Sequence, residues 1–144
     1  MIKSIIISIA ILCSSGNKII SKELNSSAII QHPIQSSHFG YWKVQKIEPT
    51  FKDHLGDLEI ADYTDHINLM KESGFIEFLT DSTFVGNNGL IDLEGTYKLS
   101  TDSLFTKNQF GFQNNYAVLI LKPNHFAIVS NQEDLSLTIH YERM

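Results

Sequence analysis

The sequence holds a single cysteine, Cys13. No internal disulfide can form, so the folded part must rest on a hydrophobic core. Nor does any apolar run approach the roughly 20 residues that a membrane-crossing helix needs; the run from Ile5 to Leu12 is short and is interrupted by Ser8. Positive charge is scarce: eleven Lys and Arg against sixteen Asp and Glu leave a formal charge of −5. That balance speaks against a protein that tracks a phosphate backbone and chiefly supplies solubility. There is no Gly-x-Ser-x-Gly elbow and no Gly-rich phosphate loop ahead of a helix. Glu77 and Glu94 stand alone in strand-like segments, so a glycosidase-type carboxylate pair cannot be drawn. The chain is not expected to be an enzyme or to carry a cofactor.

What is present begins with Met1, Ile2 and Lys3, followed by the Ile5–Leu12 run. This is the order of the positively charged and apolar regions of an export signal. Residues 1–12 are therefore expected to direct the protein out of the cytoplasm, to the periplasm or the outer envelope. Cys13 follows at once, then Ser14, Ser15 and Gly16, an arrangement that resembles the lipobox of bacterial lipoproteins, with Leu12 and Ala10 at positions that pattern usually fills differently. Two outcomes stay open: Cys13 is diacylated and becomes the one membrane attachment, or cleavage after Ser15 or Gly16 removes it. Loss of Lys3 with the signal takes the charge from −5 to −6. Residues 13–38 are rich in Ser, Asn, Gln and Ile, contain Pro33 and show no period, which reads as a spacer. Removal of the signal leaves about 130 residues, enough for one domain, residues 39–144, that buries around two-thirds of its unfolded surface.

From Gly40 onward, short strand-favouring segments alternate with turn clusters, the signature of an all-β sandwich or barrel. The segments are Tyr41–Ile47, ended by Pro49, then Phe75–Leu79, Thr83–Gly86, Ile91–Leu99, Leu104–Asn108, Tyr116–Lys122, Phe126–Ser130 and Leu135–Arg143. In the last, Leu135, Leu137, Ile139 and Tyr141 alternate with Ser136, Thr138, His140 and Glu142, so one face is buried and the other meets water. Connections as short as Thr80-Asp81-Ser82 and Pro123-Asn124 require antiparallel neighbours, hence an up-and-down meander. The exception is the insert Phe51–Ser73. Its Ile60, Tyr63, Ile67 and Met70 fall on one stripe of a helix, predicting a short helix across an open barrel end; the competing reading makes His66–Lys71 an extra strand.

Three features resemble the lipocalin-like group of small exported bacterial β-barrel proteins over roughly Phe39–Met144: Gly40-Tyr41-Trp42 opening the first strand, the Phe75–Phe84 hairpin returning through Gly95-Thr96-Tyr97, and Arg143 ending the last strand. Asn114-Asn115-Tyr116 is a loose analogue of the Thr-Asp-Tyr of that family. The resemblance implies a closed antiparallel barrel of about eight strands, with Trp42 at the closed end under the Arg143 side chain. It also implies an interior that either lines a small-ligand pocket or is simply filled.

Alternation points Trp42, Val44, Ile76, Phe78, Tyr97, Leu99, Leu137, Ile139 and Tyr141 inward. Of these, Ile76, Phe78, Tyr97, Ile139 and Tyr141 are the candidate ligand-binding residues, and Gly40, Trp42 and Arg143 the barrel closure. The bland reading of the same aromatics is a packed core. The six histidines include Asp53-His54 and Asp65-His66, but neither spacing is a metal motif. His32 and His38 lie in the spacer and His140 on a polar face, so the histidines are expected to be solvent-exposed and no metal site is expected. Two functions follow. One is an exported, non-enzymatic binding protein for a small apolar or amphipathic ligand. The other is a filled barrel that engages a protein partner, as an inhibitor or envelope assembly accessory, through its edge, insert or loops.

Overall fold

The computed structural model describes residues 38–144; the expected signal 1–12, Cys13 and the spacer up to residue 37 lie outside them. Eight antiparallel strands follow in chain order: β1 (Gly40–Phe51), β2 (Phe75–Phe78), β3 (Thr83–Asn87), β4 (Asp92–Leu99), β5 (Ser103–Asn108), β6 (Gln113–Leu121), β7 (His125–Asn131) and β8 (Leu135–Arg143). Each pairs with the next, and β8 pairs with β1 to close the barrel. One helix, α1 (Asp57–Ser73), lies between β1 and β2.

Two details differ from expectation. The strand opening the barrel does not end before Pro49 but runs through it to Phe51, with Pro49 opposite Leu137. Beyond Lys43 this strand has no further register with β2, and a strand paired on one side tolerates proline. A bulge between Val44 and Lys46 resets the alternation, so that Trp42, Val44 and then Ile47 are buried. The insert is the expected helix and not the competing extra strand. Secondly, that helix is not short but 17 residues long, above the average for globular proteins. Asp57 and Glu59 favour its N-terminus and Lys71 its C-terminus. The Gly56 amide donates to Glu59 Oε2 at 2.9 Å, and the Gly74 amide closes the last turn onto the Met70 carbonyl at 2.8 Å.

The helix covers the barrel end where β1 finishes and β2 begins. Its Ile67 and Met70 are buried, and Phe51 and Tyr63 pack with ring centroids 6.3 Å apart. The Tyr63 hydroxyl donates to Asp134 Oδ2 at 2.8 Å, tying α1 to the β7–β8 turn. At its other end α1 touches the β3–β4 turn at Gly89. The opposite barrel end carries the short β2–β3, β4–β5 and β6–β7 turns. The Thr80-Asp81-Ser82 turn is closed by the Leu79 amide on the Thr83 carbonyl at 2.9 Å and by Asp81 Oδ1 accepting from the Thr83 amide at 3.1 Å.

Candidate functional site

The barrel interior divides into a filled half and a hollow half. In the filled half Trp42, Phe78, Phe126 and Tyr141 meet. Phe126 lies 5.9 Å from both Trp42 and Phe78 and 5.4 Å from Tyr141, centroid to centroid, within the range where edge and offset packing of rings is favourable. The indole N–H of Trp42 donates to the His38 carbonyl at 3.1 Å. Arg143 lies over the Trp42 ring, 5.8 Å from its centroid, and its Nη2 donates to the Phe39 carbonyl at 2.6 Å. Gly40, at φ +117°, turns the chain beside the Arg143 guanidinium. This end is therefore shut by aromatic packing and one guanidinium.

Towards α1 the interior opens into a cavity of about 60 Å³. Its apolar wall includes Met70 from α1 and Ile76, Phe84, Ile128 and Ile139 from the strands. The facing wall carries Thr106, Asn108, Asn114, Tyr116 and Tyr141. Gly86 of β3 also lines the hollow, and its missing side chain lets β2 approach, since a Cβ there would lie 2.8 Å from the Phe75 carbonyl oxygen. Asn108 is occupied, since its Oδ1 accepts from the amides of Phe110 and Phe112, each at 3.1 Å. Among the described residues no side-chain hydrogen bond occupies Thr106, Asn114 or Tyr141, although all three are buried. Burial, reinforced by Tyr116, holds the Tyr141 hydroxyl protonated well above the ordinary phenol range. The polar wall is thus a set of neutral donors and acceptors. It can orient a hydroxyl, amide or carboxylic acid group and contains no evident nucleophile.

Three of the candidate residues, Ile76, Ile139 and Tyr141, line this cavity. Phe78 and Tyr97 do not. Phe78 pairs opposite Gly40 at the shut end and packs against Tyr97 in a tilted pair with centroids 4.6 Å apart, while the Tyr97 hydroxyl donates to the Leu79 carbonyl at 3.0 Å. Strand alternation reports which face a residue occupies and says nothing about its height along the barrel axis. The cavity residues that sequence reasoning passed over include Thr106, Asn114 and Tyr116. Their signal was available in the period-two runs Leu104-Thr106-Asn108 and Asn114-Tyr116-Val118, where polar side chains stand at inward positions.

The histidines also need correction. His66 is buried, with 7% of its surface exposed, and its Nε2 finds no hydrogen-bond partner among the described residues. It lies three residues after Tyr63 and four before Met70, on the buried stripe of α1, and burial pushes its pKa down, keeping the ring neutral. His54 reaches Asp134 Oδ1 at 3.0 Å. His54 and Tyr63 together hold the Asp134 carboxyl below its usual range, and burial followed by the Asp134 contact pushes the Tyr63 hydroxyl up to about 12. Among the described residues no group of three or more His, Cys, Asp or Glu side chains gathers in a metal-binding arrangement.

No protein-family model matches the chain, and no curated protein matches it. Among solved structures, the crystal structure of a DUF4847 family protein from Bacteroides vulgatus ATCC 8482 is similar to it with a TM-score of 0.47 and 13% sequence identity, covering 76% of this chain and 96% of that one.

Proposed function

We propose that the protein is an exported, lipocalin-like binding protein without catalytic activity, which takes one small amphipathic molecule into the barrel beneath α1. The carrying observation is the polar wall. Thr106, Asn114 and Tyr141 line one hollow, and each hydrogen bond that a ligand group makes to them adds about 0.5–1.5 kcal/mol net. A polar ligand group satisfies them while its apolar part lies against Ile76, Phe84 and Ile139. At about 60 Å³ the hollow holds a handful of waters at roughly 10–15 Å³ each, well short of the ~300 Å³ of a drug-sized pocket. The ligand is accordingly small, or α1 and the flexible Met70 side chain give way as it enters. Export rests on the Ile5–Leu12 run behind Lys3, and Cys13 is the candidate attachment point of a lipid anchor, the alternative being its loss by cleavage after Ser15 or Gly16.

The test is native mass spectrometry of the full chain purified from its own envelope, paired with the cavity variants Thr106→Val and Asn114→Leu. The expected spectrum shows a bound small molecule in the wild type and none in the variants, together with the mass of the N-terminal species, which reports acylation at Cys13. A wild-type protein carrying nothing, or variants that retain the molecule, would overturn the binding reading. The second reading, a protein-interaction module, draws on the apolar side chains exposed at the same end: Leu69 on α1, Leu90 and Ile91 beside it, and Phe110 and Phe112 in the next turn. The second of these turns is tied to β4 by the Gln109 amide donating to the Glu94 carbonyl at 2.8 Å. Recovery of a stoichiometric protein partner that Phe110→Ser releases, with an empty cavity, would favour it.

A further inference from the structure

On the outer face of the barrel, away from the cavity, β7, β8 and β1 bring together a chain of side chains that the binding reading does not use. His125 Nε2 lies 3.1 Å from His140 Nδ1, and His140 Nε2 lies 2.9 Å from Glu48 Oε2. We propose that His125 and His140 form a surface site for a divalent transition metal, copper(II) before zinc(II), with Glu48 as the carboxylate that orients His140.

The protonation pattern follows from the partners. An ionised carboxylate only accepts, so the hydrogen of a neutral His140 ring sits on Nε2 and points at Glu48; Nδ1 then carries a lone pair. A histidine that binds metal through one nitrogen while donating the other N–H to a carboxylate is the recurrent arrangement of protein metal sites, and it raises the basicity of the ligand. In the metal-free protein His125 supplies the hydrogen shared with His140 Nδ1. Moving that hydrogen to His125 Nδ1 leaves both facing nitrogens with lone pairs, and neither neutral ring loses a proton overall.

The spacing also fits. Two nitrogens each about 2.0–2.1 Å from one metal stand roughly 3.4 Å apart at a tetrahedral angle and roughly 2.9 Å apart at a right angle. The observed 3.1 Å lies between these, so the nitrogens already stand at a chelating distance, and each ring turns its lone pair off the N···N line to meet the metal. The rings are already close to parallel, at 28°, and the residues are diagonal neighbours on paired strands, since His140 faces Ala127 and His125 faces Glu142. Both β7 and β8 are paired on both sides in the closed barrel, a rigid mounting of the kind that metal ligands require. Because no third His, Cys, Asp or Glu among the described residues completes a cage, water fills the remaining positions. With two nitrogen ligands and water, copper(II) binds ahead of zinc(II) by the usual order of divalent affinities. Lys46, which pairs with the other oxygen of Glu48, opposes a second positive charge and keeps the affinity moderate.

The experiment is a titration of the metal alone into the full chain, by calorimetry with copper(II) and zinc(II), with His125→Asn, His140→Asn, Glu48→Gln and, as control, His54→Asn. Expected are one equivalent of metal, at least tenfold weaker binding in each of the two histidine variants, weakening of about tenfold in Glu48→Gln, and unchanged binding in His54→Asn. Imidazole nitrogen shifts of the wild-type chain during zinc titration provide a readout independent of any variant: His125 and His140 should move first and together. Wild-type affinity in His125→Asn and His140→Asn, or first movement at another histidine, would overturn the site. Circular dichroism confirms that each variant is folded, and if one is not, the wild-type shift pattern decides.

Discussion

Replacing Gly89 with alanine should unseat α1 from the barrel end at a cost that can be separated from backbone strain. Gly89 has φ +95°, and a Cβ built there lies 2.5 Å from the Met70 nitrogen and 2.7 Å from the Leu69 carbonyl carbon and the Met70 Cα. All three atoms are helix backbone, so no side-chain rotation relieves the clash. Two costs therefore add: about 1–2 kcal/mol for placing an L-residue in a conformation with positive φ, and about 1–3 kcal/mol for forcing extra volume into a packed contact. Gly111 is the internal control, because it also has a positive φ, +84°, but a Cβ there meets nothing within 4 Å. Gly111→Ala should cost only the first amount, and the entropy that alanine removes from the unfolded chain is common to both variants and cancels. The expected difference is ~1–3 kcal/mol, a sizeable part of the 5–15 kcal/mol typical of whole domains. Equilibrium urea unfolding followed by Trp42, the single tryptophan, measures it, and hydrogen exchange should show α1 amides losing protection ahead of β7 and β8. Equal losses in the two variants, or unaltered α1 protection in Gly89→Ala, would refute the seating of the helix against this turn.

Acid should loosen the same helix through His66. Burial lowers its folded-state pKa below the ordinary 6.5, so the stability due to neutral His66 is fully present above 6.5 and is lost as pH falls through the lower folded value. Urea midpoints at about pH 7.5 and pH 5 should therefore differ less in His66→Leu than in the wild type, and an equal difference would remove His66 from the account. At the shut end, Arg143→Met should cost about 2–3 kcal/mol by losing a charged hydrogen bond to the Phe39 carbonyl and the attraction to Trp42. Arg143→Lys should restore less than half of that, because a lysine lacks the planar fork; full restoration would mean that charge alone suffices.

Legibility in the sequence followed the regularity of each pattern. The strict alternation of Leu135, Leu137, Ile139 and Tyr141 revealed β8 with its observed bounds, since an antiparallel strand with one wet face repeats every two residues. The stripe Ile60, Tyr63, Ile67 and Met70 revealed α1 for the equivalent reason at helical period. Thr106 and Asn114 were passed over because polar side chains at inward positions interrupt the pattern that marks an interior. His66 was misjudged beside Asp65, because residue type alone favours exposure while position on the helix stripe dictates burial.

The sequence by itself determined the strands, their antiparallel order and which face of each turns inward, because short turns allow only neighbouring pairing and alternation labels the faces. Closure of β8 onto β1, the seating of α1 over one end and the height of each inward residue were decided only by the tertiary structure. They depend on register, on the bulge at Val44 and Lys46, and on contacts between residues far apart in the chain. Those are the features that make one end a packed plug of Trp42, Phe78 and Phe126, and the other a small hollow walled by Thr106, Asn114 and Tyr141.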